Sequence, residues 1–279
     1  MTNEFDEQSR IIFWPLMLRA HCALKSWPAA RKVGEALVRE IDSGMLSTSL
    51  LSRLGEEKAR QDYATALEQT GAVELAREQL AWAASLNEKF KGELDAFSTR
   101  HALEGEARSR FEATLKAKMA EASLRREAQI KRELLATEQR RPASDFKLQD
   151  LNGKPVALAD FRGKALVLDF WATWCGPCQG ELEEMKVAYE KYKDHPKVAF
   201  AASSIDMDKA LVSPHAKQNG YRFAILLTDG TIENPYQTQA IPKLYIIDAA
   251  GSIRFRHDGY EKDGYHLKKL GWMIEAAMK

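Results

Sequence analysis

The stretch that most constrains this chain is Trp171-Ala172-Thr173-Trp174-Cys175-Gly176-Pro177-Cys178, two cysteines three apart at the end of an apolar run. The run itself, Lys164 to Phe170, is rich in strand formers and predicts a buried strand. Beyond the cysteines, Leu182, Met185 and Tyr189 recur at helical spacing among Glu183, Glu184, Lys186, Glu190 and Lys193, which predicts an amphipathic helix over 181–193. The pair therefore falls at a strand-to-helix turn. Unpaired N–H groups and the positive end of a helix dipole favour a thiolate there, so Cys175 is the expected nucleophile and Cys178, one turn further in, the resolving thiol. Gly176 leaves the nucleophile open, and Pro177 suits an early helical position that needs no N–H.

A Cys-x-x-Cys pair can also be half of a zinc site. The third cysteine, Cys22, is far upstream, and no histidine pair stands at ligand spacing near the motif. No metal is expected. Cys22, in Leu18-Arg19-Ala20-His21-Cys22-Ala23-Leu24, reads as a packed, inert thiol.

At 279 residues, 45% hydrophobic and 29% charged, the chain has room for two globular domains. A net charge of +1 gives no electrostatic reason to expect nucleic acid or an acidic membrane as partner, and three cysteines exclude a disulfide-stapled scaffold. The start, Met1-Thr2-Asn3-Glu4-Phe5-Asp6-Glu7, is too acidic for a secretion signal, and the apolar stretch from Ile11 to Leu18 is short and holds Pro15.

From Ser9 to about Leu103 the pattern is helical, with breaks at Trp27-Pro28, Ser43-Gly44, Thr70-Gly71 and Lys91-Gly92. Trp27–Val33 and Gly71–Leu80 both place Ala-Arg early in a helix after a short turn, and both resemble the second helix of a tetratricopeptide repeat. Residues 105–141, with Phe111, Leu115, Met119, Leu124, Ile130 and Leu134 as a broken stripe, predict a long charged connector helix that ends at Arg141-Pro142-Ala143-Ser144. The expected organisation is a helical domain over 1–104, the connector over 105–141 and a second domain over 142–279. In the last, strands are expected over 197–206, 223–227, 241–248 and 252–257, the final two antiparallel about Ala249-Ala250-Gly251, with helices from Asp208 to Asn219 and from Tyr265 to the end.

Leu168 to Cys178 resembles a thioredoxin active site. Phe146 to Val156, followed by Leu158-Ala159-Asp160-Phe161-Arg162-Gly163-Lys164, is similar to the opening hairpin of TlpA/ResA-type thiol-disulfide oxidoreductases. The resemblance implies a three-layer α/β/α thioredoxin-like domain beside the separate all-α region. It also implies a cis Pro242 facing the cysteines, with the backbone of Ile241 free to pair with substrate, and Gly259 at the rim of that groove. Asp169, six residues before Cys175 in an apolar strand, should have a raised pKa and take the proton of Cys178, as thioredoxin's buried acid does. Where thioredoxin carries a lysine near that acid, this chain offers Ala202. Trp174 is expected on the substrate-facing surface together with Gly176 and Pro177, and Trp171 beneath it. Glu181 matches an acidic position of the branch, although Leu182 replaces the proline that often follows.

The function this implies is dithiol-disulfide exchange on protein substrates, by a reductase with no bound cofactor that is recharged by another redox protein. A Gly-Pro dipeptide between the cysteines, as in thioredoxin, favours a potential near roughly −270 mV. The alternatives are a helical-repeat interaction protein whose docking is redox-regulated, and a thioredoxin-fold peroxidase. The peroxidase pattern Pro-x-x-x-Thr-x-x-Cys is absent around Cys175. The helical region could dock a partner or a second copy. TlpA/ResA relatives act outside the cytoplasm, which requires a leader or anchor ahead of Met1; taken literally, the start is cytoplasmic.

Overall fold

Short polar turns cut the first part of the chain into helices. The structure, a computed structural model, describes residues 7–43, 46, 51, 54–101, 105–260 and 264–279. These divide into a unit of residues 1–130 and a unit of residues 131–279.

The first unit contains α1 (Glu7–Ala23), α2 (Trp27–Asp42), α3 (Glu56–Gln69), α4 (Val73–Leu86), α5 (Lys91–Arg100) and the start of α6 (Gly105–Ala136). Pro28 stands in the first turn of α2, where no backbone donor is needed, and Gly71, at φ +79°, turns the chain between α3 and α4. The break expected at Lys91-Gly92 lies instead at Asn87. Its side chain accepts the N–H of Lys89 at 3.2 Å and caps a 3₁₀ turn over Glu88–Phe90, after which α5 runs through Gly92. The break at Ser43-Gly44 falls partly outside the described residues. Leu18, Leu37, Leu67 and Phe97 form a fully buried core, and Ala30 and Ala76, from the two self-similar stretches, are both buried in it. Along α6, Phe111, Leu115 and Met119 lie outside the described side chains; Leu124 is exposed and Ile130 buried.

In the second unit an eight-stranded sheet is built from β1 (Arg141–Pro142), β2 (Lys147–Asp150), β3 (Pro155–Ala157), β4 (Ala165–Trp171), β5 (Val198–Ser204), β6 (Ala224–Leu227), β7 (Lys243–Ile247) and β8 (Ser252–Asp258). Their order is β1-β8-β7-β4-β5-β6-β2-β3. The central β4 is buried at every position, parallel to β5 and antiparallel to β7. Wholly within the described residues of this unit lie α7 (Gly176–Tyr192), α8 (Val212–Gln218) and α9 (His266–Ala277). Alternation along β4 sorts its side chains. Val167 and Trp171 face the helices, packing with Cys178, Leu182 and Met185 of α7, Val212 of α8, and Leu270 and Ile274 of α9. Leu166, Leu168 and Phe170 face the other way, onto Ile232, Tyr236 and Tyr245 under a 3₁₀ turn at Leu158–Phe161 and the turn-rich segment 229–241. Leu134 and Leu135, at the end of α6, pack on the helix-side core. Among the described residues no helix is long and apolar enough to cross a membrane.

Candidate active site

The cysteines stand where β4 hands over to α7. Cys175 is the N-cap of α7, its Sγ receiving the backbone N–H of Cys178 at 3.2 Å, and Pro177 occupies the first turn. A Cys175–Cys178 disulfide joins the two, with Cα atoms 5.3 Å apart. Cys178 is fully buried, whereas Cys175 keeps 5% of its surface. The order of access is the one nucleophile and resolving thiol require. Trp171 is fully buried and Trp174 is 69% exposed, so Trp174 stands at the surface beside the disulfide.

A residue that sequence reasoning missed fixes this loop. Asp206, just past β5 and nearly buried, accepts the backbone N–H of Thr173 at 2.9 Å and its hydroxyl at 2.7 Å, and also the hydroxyl of Ser204 at 2.7 Å. Three donors on one carboxylate lock the approach to Cys175. The signal was a lone acid at the end of an apolar strand, which does not announce its partner.

The Ile241–Pro242 peptide is cis, and the carbonyl of Pro242 accepts the N–H of Gly259 at 2.9 Å. Gly259 has φ +78°, a left-handed conformation that explains glycine there. Pro242 lies just ahead of β7 rather than at its first paired position, so it breaks no ladder bond.

Asp169 is fully buried, and the period of β4 puts it on the same face as Val167 and Trp171, toward α7. Its register neighbours are Ala202 on β5 and Leu244 on β7, so no cation flanks it in the sheet. Burial raises its carboxyl to about 7. Glu181, also fully buried, interacts with it and is itself held well above the ordinary glutamate range, by burial first and then by the charge of Asp169. The sequence reading placed Glu181 only by resemblance; the structure makes it the second member of a buried carboxyl pair. Beside Glu181, Tyr260 packs over Gly180: a Cβ there would stand 2.4 Å from the Tyr260 ring.

Cys22 is half-buried in the other unit, its thiol directed at the carbonyl of Asp62 at 3.5 Å. Burial raises its pKa, which disfavours a reactive thiolate.

A family profile described as AhpC/TSA matches residues 140–256. The thioredoxin-like protein YneN of Bacillus subtilis is 35% identical over 118 residues, which cover 42% of this chain and 69% of YneN. The chain belongs to the thioredoxin-like family. The thiol-disulfide oxidoreductase ResA of Bacillus cereus is 35% identical over 112 residues, 40% of this chain and 64% of that protein, and ResA of Bacillus subtilis is 33% identical over 62% of its length. The chain thus spans a little under two thirds of these ResA relatives. A putative thiol:disulfide interchange protein DsbE from Chlorobium tepidum superposes with a TM-score of 0.47 at 27% identity, covering 50% of this chain and 98% of that structure.

Proposed function

We propose that this chain is a thiol-disulfide oxidoreductase that reduces disulfides in protein substrates. The observation that carries the reading is the Cys175–Cys178 pair at the N-terminus of α7, with Cys175 keeping a small exposed surface, Cys178 fully buried behind it and the buried Asp169 on the face toward that helix. In the reduced protein the Cys175 thiolate attacks one sulfur of a substrate disulfide, forming a mixed disulfide and releasing the first substrate thiolate. Cys178 then attacks the Cys175 sulfur, its proton passing to Asp169, and the second substrate sulfur leaves as a thiolate. Two electrons move to substrate and the pair ends as the disulfide. Trp174, Gly176, Pro177, the backbone of Ile241, Pro242 and Gly259 form the surface on which the substrate lies. The electrons are held on sulfur, so exchange needs no bound cofactor, and another redox protein returns the pair to the dithiol.

The test is turnover of a protein disulfide with dithiothreitol as donor. Cys175→Ser is expected to abolish it, and Cys178→Ser to accumulate a mixed disulfide visible as a mass adduct. Turnover unchanged in either variant contradicts the assignment. Assaying hydrogen peroxide in parallel decides against the peroxidase alternative if protein disulfides turn over and peroxide does not. A second reading, docking through the helical unit, is favoured by one observation: Phe13, Leu16 and Met17 are exposed along α1, and Leu24 just past its end. Exchange activity equal in the full chain and in residues 131–279 alone would speak against a docking requirement.

A further inference from the structure

Glu181 on α7, His257 on β8 and His266 at the first position of α9 come from three separate elements, and each offers one ligand atom within 4.8 Å of the other two. From this cluster we infer that the second unit holds a divalent cation of the Zn(II) class, bound by the two imidazoles and the Glu181 carboxylate.

One ligand distance already suits such an ion, and the other pairs lie within 4.8 Å. Atoms bound at 2.0–2.2 Å to a tetrahedral centre stand roughly 3.3–3.6 Å from one another. His266 Nε2 lies 3.4 Å from Glu181 Oε1. The His257 and His266 rings, with centroids 5.3 Å apart, are inclined by 63° rather than stacked, so a ring nitrogen of each can turn toward one point. Two imidazoles and one carboxylate are the donor set of three-ligand zinc sites that keep a fourth position open.

A second observation is electrostatic. Glu181 and Asp169 are both fully buried, and among the described residues no side-chain hydroxyl or amide donates to any of their four carboxyl oxygens. A buried carboxylate is stable only where it is paired with positive charge or coordinates a metal. A dication on Glu181 supplies both charges. Access is available: Glu181 and His266 are buried, but His257 is half-buried, which leaves a way in from solvent. Tyr260 edges onto the His266 ring at 5.1 Å and donates its hydroxyl to Glu184 at 2.9 Å, orienting the cluster from the outside. Its histidines lie far from Glu181 in sequence, so no ligand spacing near the cysteines announces the site. The competing account is a bare His266–Glu181 ion pair with Asp169 protonated, which binds no metal.

The inference is independent of exchange activity and is tested by binding. The full chain carrying Cys22→Ala is kept in its Cys175–Cys178 disulfide form, so that no thiolate competes. It is then stripped with chelator and titrated with Zn(II) by calorimetry and with Co(II) by visible absorption. One equivalent should bind, with the d–d bands of a nitrogen and oxygen ligand set, and the melting temperature should rise. Loss of an outer-shell partner weakens metal sites by about 10–100-fold. Loss of a ligand in His257→Ala, His266→Gln or Glu181→Gln should weaken this one at least as much. If His266→Gln fails to fold, His257→Ala, at a half-buried position, carries the test. No saturable binding by the folded wild type, or one-equivalent binding that survives all three substitutions, overturns the inference.

Discussion

A carboxyl with no exposed surface holds its proton to higher pH because water no longer solvates its anion, and Asp169 is such a group, raised to about 7. The sign of the consequence is fixed by linkage. Between about pH 4 and pH 7 the unfolded chain has released this proton while the folded chain keeps it, so stability falls as pH rises through that window. Asp169→Asn removes the penalty. In chelator-treated protein the variant is expected to match wild type near pH 4 and to exceed it by a few kcal/mol at pH 8. Urea melts across that range check this, and an unchanged pH slope in the variant contradicts it. Asp169 was legible because an acid inside Leu166-Val167-Leu168-Asp169-Phe170 has few neutral explanations. Its partnership with Glu181 was not, since it depends on which face of α7 turns inward.

At the scale of elements, the handover from β4 to α7 follows from local rules: strand formers, an N-capping thiol and a proline in the first turn. Those rules placed Cys175, Cys178 and Pro177 directly. What they could not give is how α7 meets the segment after β8, where Gly180 lies under Tyr260 with no space for a methyl group. Gly180→Ala is expected to displace Tyr260 and cost about 1–3 kcal/mol, offset in part by the better helix propensity of alanine. Thermal melts of Gly180→Ala alone and combined with Tyr260→Ala measure this. The double variant should recover much of the loss, whereas equal losses in the two would show that the contact is not responsible. The missed Asp206 belongs here too. Its hydrogen bonds to Thr173 cross from β5 to the loop after β4, a pairing set by the parallel register of these strands and not by spacing in the chain.

For the molecule as a whole, the sequence divided the chain where its composition changes, at Arg141-Pro142. Several contacts of the second unit begin earlier. Leu134 and Leu135 pack on its helix-side core, the N–H of Gln139 bonds the carbonyl of Arg254 at 2.9 Å, and Glu138 accepts the Arg254 guanidinium at 2.7 Å. Composition marks where a helix loses its pattern, but packing decides which domain its last turn serves. A fragment of residues 131–279 is therefore expected to fold cooperatively. One starting at Ser144 should lose about 2–4 kcal/mol, mainly from the two leucines, and melt roughly 4–16 °C lower. Equal melting temperatures would refute this.

The central claim, that Cys175 and Cys178 form a reducing dithiol couple, is tested most directly by its reduction potential. The full chain with Cys22→Ala is equilibrated against dithiothreitol or glutathione, and the thiols are trapped and counted. A two-electron couple near roughly −270 mV is expected. A value near about −120 mV would make the protein an oxidant, and failure of the two cysteines to interconvert with the disulfide would contradict the exchange mechanism itself.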